Sequence, residues 1–170
     1  MNLKDTIRSV PDFPKKGILF RDITTLVKEP EALRCLIDTF ADELKEKKID
    51  MVVGPEARGF VLGSALAYAL GAGFVLARKP GKLPCETLRY EYSLEYGTDA
   101  LEIDAGAIRP GMRCVIVDDL LATGGTALAT AKLIEQAGGT VEAIRFAMEL
   151  TDLPGREALA GYDVGAVIQY

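Results

Sequence analysis

Residues 114–117, Cys-Val-Ile-Val, open the stretch that most restricts the fold. An apolar, β-branched run of this kind forms a strand buried on both faces. Asp118 and Asp119 end the run. A turn through Ala122, Thr123, Gly124, Gly125 and Thr126 then leads into the helical pattern Ala127, Leu128, Ala131, Leu133 and Ile134. In such a turn the amides of residues 122–126 converge beside the positive end of a helix dipole, which suits an anion. Gly124 and Gly125 lack a Cβ, so the backbone is free to approach that anion and to take positive φ. Thr123 and Thr126 add hydroxyl donors. The paired acids repel phosphate but suit neutral hydroxyls, such as the 2′ and 3′ groups of a ribose. The alternative is an ordinary strand-to-helix connection with a capping Thr and a solvated acid pair. Strand, two acids, and threonines flanking glycines occur together here, and that combination favours a grip on a sugar phosphate. The stretch contains neither the Gly-Lys-Ser/Thr of a Walker loop nor a G-x-G-x-x-G pattern.

The rest of the chain keeps a strand–loop–helix rhythm. Residues 51–54, 74–77, 141–150 and 164–170 read as strands, and residues 60–70 as an apolar helix stopped by Gly71. Pro30 suits the first position of a helix whose stripe is Leu33, Leu36, Ile37, Phe40, Ala41 and Leu44. Residues 3–10 suit a short helix, residues 11–17 break regular structure, and residues 18–23 are apolar without a clear type. Residues 89–96 and 99–103 alternate around Gly97-Thr98 and predict a β-hairpin arm. The expectation is an α/β fold: a doubly wound, mainly parallel five-stranded sheet with flanking helices. It forms one domain over residues 1–170, with an N-terminal hood at about 1–30 and a flexible arm at about 85–104 over the active site.

Such sheets bind ligands beyond the carboxyl ends of their strands. Loops 54–59, 78–84 and 118–126 leave those ends. Arg58 suits bidentate recognition of a pyrophosphate, against the alternative of a solvated loop arginine. Arg78, Lys79 and Lys82 form a second clamp or an ordinary solvated face. Phe20 and Leu120 either sandwich a flat base, with Arg21 fixing it, or belong to the core. Glu95 either handles a proton on a purine nitrogen or is an exposed hairpin acid.

Composition narrows the chemistry. The 170 residues contain no histidine, which excludes Ser-His-Asp and Cys-His catalysis and most zinc sites. Carboxylates, Arg, Lys and backbone amides must do the work. The net charge of −5 gives no footprint for general nucleic-acid binding. Cys35, Cys85 and Cys114 are widely spaced with no C-x-x-C, and Cys35 and Cys114 read as small core residues in a reducing compartment. No apolar run reaches the roughly 20 residues of a membrane span, and no signal-peptide core opens the chain; a cytoplasmic protein is expected.

The 114–126 stretch resembles the signature of the phosphoribosyltransferases, enzymes that use phosphoribosyl pyrophosphate. Residues 17–23 (Gly-Ile-Leu-Phe-Arg-Asp-Ile), 56–60 (Glu-Ala-Arg-Gly-Phe), 78–84 (Arg-Lys-Pro-Gly-Lys-Leu-Pro) and 94–97 (Leu-Glu-Tyr-Gly) resemble the adenine-specific branch of that type I family. The likeness runs in order from about residue 11 to residue 170. It implies transfer of the phosphoribosyl group to adenine, giving AMP and pyrophosphate, with Mg²⁺ bound mainly through the substrate and no metal site of the protein's own. The positions matching Leu19, Phe20, Arg21 and Leu120 hold adenine. Those matching Ala122, Thr123, Gly124, Gly125 and Thr126 hold the 5′-phosphate, and Asp118 and Asp119 the ribose. Arg58, Arg78, Lys79 and Lys82 face pyrophosphate, with Arg58 also catalytic and Arg78 able to reach across a homodimer interface. Glu95 is the acid–base group at adenine N7, Tyr96 belongs to the lid, and the Glu56–Ala57 peptide is implied to be cis. The rivals are transfer to another purine, such as xanthine or hypoxanthine, and a non-catalytic regulator that senses phosphoribosyl pyrophosphate.

Overall fold

The computed structural model describes residues 1–94 and 97–170. Glu95 and Tyr96, expected in proton transfer and in the lid, lie outside the described residues. The N-terminal segment departs from the expected short helix. A single 3-10 turn, Leu3–Thr6, is followed by strand β1 (Arg8–Pro11). β1 pairs antiparallel with β2 (Leu19–Asp22), which settles the type of the apolar stretch at residues 18–23. A short helix α1 (Thr24–Val27) and the long α2 (Pro30–Leu44) follow, and Pro30 takes the first turn of α2, where its missing N–H costs nothing.

The βα rhythm then begins. β3 (Met51–Pro55), α3 (Arg58–Leu70) and β4 (Gly73–Ala77) form the first unit. The arm β5 (Thr87–Leu94) and β6 (Gly97–Asp104) comes next, and then β7 (Arg113–Leu121), α4 (Gly125–Gln136), β8 (Thr140–Glu149), α5 (Gly155–Ala158) and β9 (Val164–Gln169). The five-stranded sheet runs β4-β3-β7-β8-β9, and every pairing in it is parallel. The order reverses between β3 and β7, and ligands of such sheets sit at that switch point, outside the carboxyl ends.

Side chains of β7 show why this strand organises the chain. Val115 and Val117 enter one core with Leu36, Phe40, Leu62 and Leu66; Cys114 and Ile116 enter the other with Leu133, Ile134 and Phe146. All four β7 residues are fully buried, and each buried Val or Ile contributes roughly 1.5–3 kcal/mol. The second core also takes Leu101 and Ile103 of the arm. The base of the hairpin is therefore packed into the domain, and a backbone bridge between Arg78 and Glu102 ties it to the end of β4.

Four boundaries differ from the sequence reading. β7 does not stop at the acid pair: β8 is ten residues long and stays paired with it as far as Leu121 opposite Glu149. α3 begins at Arg58 itself, so that arginine stands on the first turn of a helix and not in a loop. In the arm, Gly97 and Thr98 already belong to β6, paired with Leu94 and Ser93, so the pair is not the turn. Among the cradle glycines only Gly124 takes positive φ, at 86°; Gly125 opens α4 with helical geometry.

Candidate active site

At the switch point a cavity of about 230 Å³ is lined by residues 118–127 together with Glu56, Arg58 and Phe146. Its floor is the turn from β7 into α4. The first N–H groups of a helix have no partner within it and carry the positive end of its dipole, so α4 directs donors from Gly125, Thr126 and Ala127 into the cavity. The turn is braced from behind. A Cβ on Gly124 would stand 3.0 Å from the Gly155 carbonyl oxygen, and one on Gly155 would stand 2.6 Å from the Ala122 carbonyl oxygen. The two glycines let α5 back directly onto the cradle. On the open side, a Cβ on Gly125 would be 3.7 Å from the Tyr92 ring, so the arm borders the cradle.

The acid pair forms one wall. Asp119 is buried, and its Oδ2 accepts from Arg58 Nε at 2.5 Å. Asp118 Oδ1 accepts from the Asp119 amide at 2.9 Å. Burial, followed by the charge of Asp119, pushes the Asp118 carboxyl well above the usual carboxylate range. The pair thus resists carrying two full charges at once. Gly59 makes the approach of α3 possible, because a Cβ there would meet Asp118 Oδ1 at 3.1 Å and the Val117 carbonyl at 3.3 Å.

The basic loop after β4 closes on the loop after β3 through one carboxylate. Glu56 Oε1 accepts from the Lys79 amide at 2.5 Å, while Oε2 faces Lys82 Nζ at 2.9 Å and an Arg78 guanidinium nitrogen at 3.5 Å. Burial opposes the charge on Glu56, but the Lys82 hydrogen bond, the Lys79 amide and the two cations outweigh it and hold the carboxyl below its ordinary range. Lys79 Nζ pairs with Asp99 on β6, which the Tyr92 hydroxyl also faces at 3.4 Å. The guanidinium of Arg78 lies 5.9 Å from the Phe60 ring, and its buried Nε has no hydrogen-bond partner among the described residues. The Glu56–Ala57 peptide is cis.

A second, more apolar cavity of about 600 Å³ lies under the hood, lined by Arg8, Val10, Phe13, Phe20, Asp22, Thr24 and Arg58. Phe13 and Phe20 meet edge to face, with ring centroids 5.2 Å apart. Arg58 lines both cavities, with its guanidinium 5.9 Å from the Phe20 ring. Asp22 is pinned by the Thr24 hydroxyl and amide and by Arg8. The Thr24 hydrogen bond and then Arg8, working against burial, draw its carboxyl down to about 2.

The expected residues distribute unevenly over these surfaces. Phe20 faces the hood cavity, and Leu120 lines the cradle cavity instead. Leu19 is half exposed. The Arg21 side chain leaves the site, donating to Ser9 Oγ at 2.5 Å and stacking 3.9 Å from the Tyr170 ring centre; from this position only its backbone is available to a base. Sequence reasoning gave no role to Glu56, Asp22, Asp99, Phe146 or Gly155. Glu56 lay inside a quoted motif, but nothing in its spacing reveals that residues 79 and 82 fold onto it. Among the described residues no cluster of three or more Asp, Glu or Cys side chains is arranged to hold a metal, and no helix is long and apolar enough to cross a membrane.

A parallel sheet with an anion cradle and an acid pair at its switch point defines a class that grips phosphorylated pentoses. The phosphoribosyl transferase domain family matches residues 23–164, and the chain belongs to it. An adenine phosphoribosyltransferase of Clostridium perfringens is 61% identical over 170 residues, covering 100% of this chain and 99% of that protein. The crystal structure of adenine phosphoribosyltransferase from Thermoanaerobacter pseudethanolicus superposes with a TM-score of 0.95 at 56% identity, covering 99% of this chain and 98% of the other. The Saccharomyces cerevisiae enzyme, complexed with an imino-altritol bisphosphate and adenine, superposes at 0.91 with 43% identity, covering 96% of this chain and 95% of that one.

Proposed function

We propose that this chain transfers the 5-phosphoribosyl group of phosphoribosyl pyrophosphate to adenine, releasing AMP and pyrophosphate. The observation that carries the reading is Arg58, which joins a phosphate cradle, an acid pair and an aromatic pocket at one switch point. In this reading the amides and hydroxyls of Ala122, Thr123, Gly124, Gly125 and Thr126 take the 5′-phosphate. Asp118 and Asp119 take the ribose hydroxyls. The base lies against Phe20 and is fixed by the backbone at Leu19 and Arg21, with Leu120 bordering it from the cradle side.

Bond breaking at ribose C1 leaves positive character on the sugar and negative charge on the departing diphosphate, by analogy with other glycosyl transfers. Arg58, Arg78, Lys79 and Lys82 neutralise the departing charge, and the acid pair stabilises the sugar cation. Oxygen donors of Asp118 and Asp119 suit a hard cation. With no three-carboxylate cluster among the described residues, Mg²⁺ would take most of its ligands from the diphosphate and water. When bound it would supply further neutralisation of the leaving group. Glu95 serves the proton at adenine N7, and Tyr96 closes the lid with the arm, excluding water from the activated sugar.

We also infer a cytoplasmic homodimer. Val61 and Tyr68 of α3 and Leu76 of the edge strand β4 are large, exposed hydrophobic side chains, and Arg78 follows directly on β4. A pyrophosphate-release assay with adenine, hypoxanthine and xanthine in turn tests the reading. Release with adenine alone is expected. Release with another base instead would reassign the substrate, and release with none would leave a phosphoribosyl pyrophosphate sensor.

A further inference from the structure

Each cation proposed for the diphosphate is already paired with a carboxylate of the chain. Arg58 pairs with Asp119, Lys79 with Asp99, and both Lys82 and Arg78 with Glu56. Asp119 has the ribose to hold and Asp99 anchors the arm. Glu56 has no such task, and it stands where the leaving group's negative charge collects. Its side chain is only 14% exposed and lines the same cavity as the cradle. A carboxylate a few ångströms from an incoming anion repels it, and does so more strongly away from bulk water. An acid that only shaped the loop would need just the bond from the Lys79 amide, which a neutral glutamine accepts equally well.

We propose that Glu56 is a positioning residue that occupies Lys82 and Arg78 in place of diphosphate and competes with it for them, so that diphosphate leaves readily after transfer. This rests on the reading that the basic loop binds diphosphate. The net affinity for diphosphate is then the strength of its own pairs less that of the Glu56 pairs it displaces. Removing the competitor slows dissociation, where differences between related complexes usually fall. Glu56, which lines the cavity, holds Lys82 and Arg78 beside it between turnovers, and its loss trades faster release for tighter holding.

The test is the affinity of the full chain for inorganic pyrophosphate, measured by calorimetry with and without Mg²⁺. Glu56→Gln, which keeps the size and the bond to the Lys79 amide, is expected to bind pyrophosphate about tenfold more tightly under both conditions, a 1.4 kcal/mol change. The same variant lowers KM for phosphoribosyl pyrophosphate without raising kcat. Glu56→Asp restores the charge and returns the affinity to within about threefold of wild type, well inside that same scale. Unchanged or weaker binding by a folded Glu56→Gln protein overturns the proposal. Weakening confined to the Mg²⁺ arm overturns it too, by making Glu56 a metal-holding acid. If Glu56→Gln does not fold, Glu56→Ala removes the same charge and decides in the same directions. A wild-type chain that binds no pyrophosphate overturns both this proposal and the reading beneath it.

Discussion

The cradle and the cation cluster both hold phosphate in this account, but they are built by opposite means. The cradle is backbone: one continuous turn from β7 into α4, pressed from behind by α5 and rooted in two fully buried cores. The cluster is side chains: Arg58 at the start of α3 and three cations from the loop after β4, 31–49% exposed, held in place by Glu56, Asp99 and Asp119. A backbone site is rigid and can be damaged only by changing the path of the chain. A side-chain site is adjustable, and its strength depends on the charges that surround it. In the proposed function the part of the substrate that stays on the sugar meets the rigid half, and the part that must leave meets the adjustable half.

Substitutions that respect this division are expected to separate the two halves. The largest effect falls on Arg58, which touches both. Arg58→Ala is expected to lower kcat by about 10³-fold, the upper range for loss of one preorganised charge partner. AMP carries no diphosphate, so its affinity measured by calorimetry is expected to stay within about threefold. An equal loss of AMP binding would place Arg58 in the cradle alone. Next comes Gly124→Val. Its positive φ and the carbonyl of Gly155 at 3.0 Å leave no room for a branched side chain. We expect kcat/KM for phosphoribosyl pyrophosphate to fall about 100-fold while pyrophosphate binding stays near wild type. Parallel loss of both would show that the halves are one unit.

Phe20→Ala sharpens the comparison from the hood. Its ring lines the apolar cavity and meets Phe13 edge to face. KM for adenine is expected to rise about tenfold, in keeping with one lost aromatic contact, with KM for phosphoribosyl pyrophosphate unchanged. The smallest effect is one of stability. Asp22 has its carboxyl drawn down to about 2 in the folded chain, from an ordinary value of 3.8. A depressed folded value contributes stability above the unfolded value, which is lost as pH falls through the folded one. Asp22→Asn is therefore expected to cost about 1–2 kcal/mol above pH 4. The figure is held below the full linkage value because the Arg8 partner is 61% exposed. The difference should vanish as the pH approaches 2, and denaturant titrations across that window would show it.

What could be read from the sequence follows the same division. The cradle, its acids and the strand beneath them are contiguous, so their chemistry is visible in thirteen residues. The alternation of strand and helix made the parallel sheet legible as well, and with it the convergence of the three loops. The cluster was legible only in its cations. Glu56 and Asp99 are acids like any others until residues 23 and 20 positions away fold onto them. The end of β7 was misplaced because strand length depends on the partner, and β8 continues beside it past the acids. β2 was indistinct because a four-residue strand has too little periodicity to show, and only its pairing with β1 defines it. The separation of Phe20 from Leu120, into two cavities joined by Arg58, arises from the placement of the hood over the sheet, which no local pattern encodes.

The central claim is that the turn ending β7 holds the phosphate that remains on the sugar. A crystal structure of the chain with AMP tests it directly. The account predicts the AMP phosphate on the amides between Ala122 and Thr126, with the base against Phe20. A phosphate lying among Arg78, Lys79 and Lys82, with the cradle unused, would contradict it.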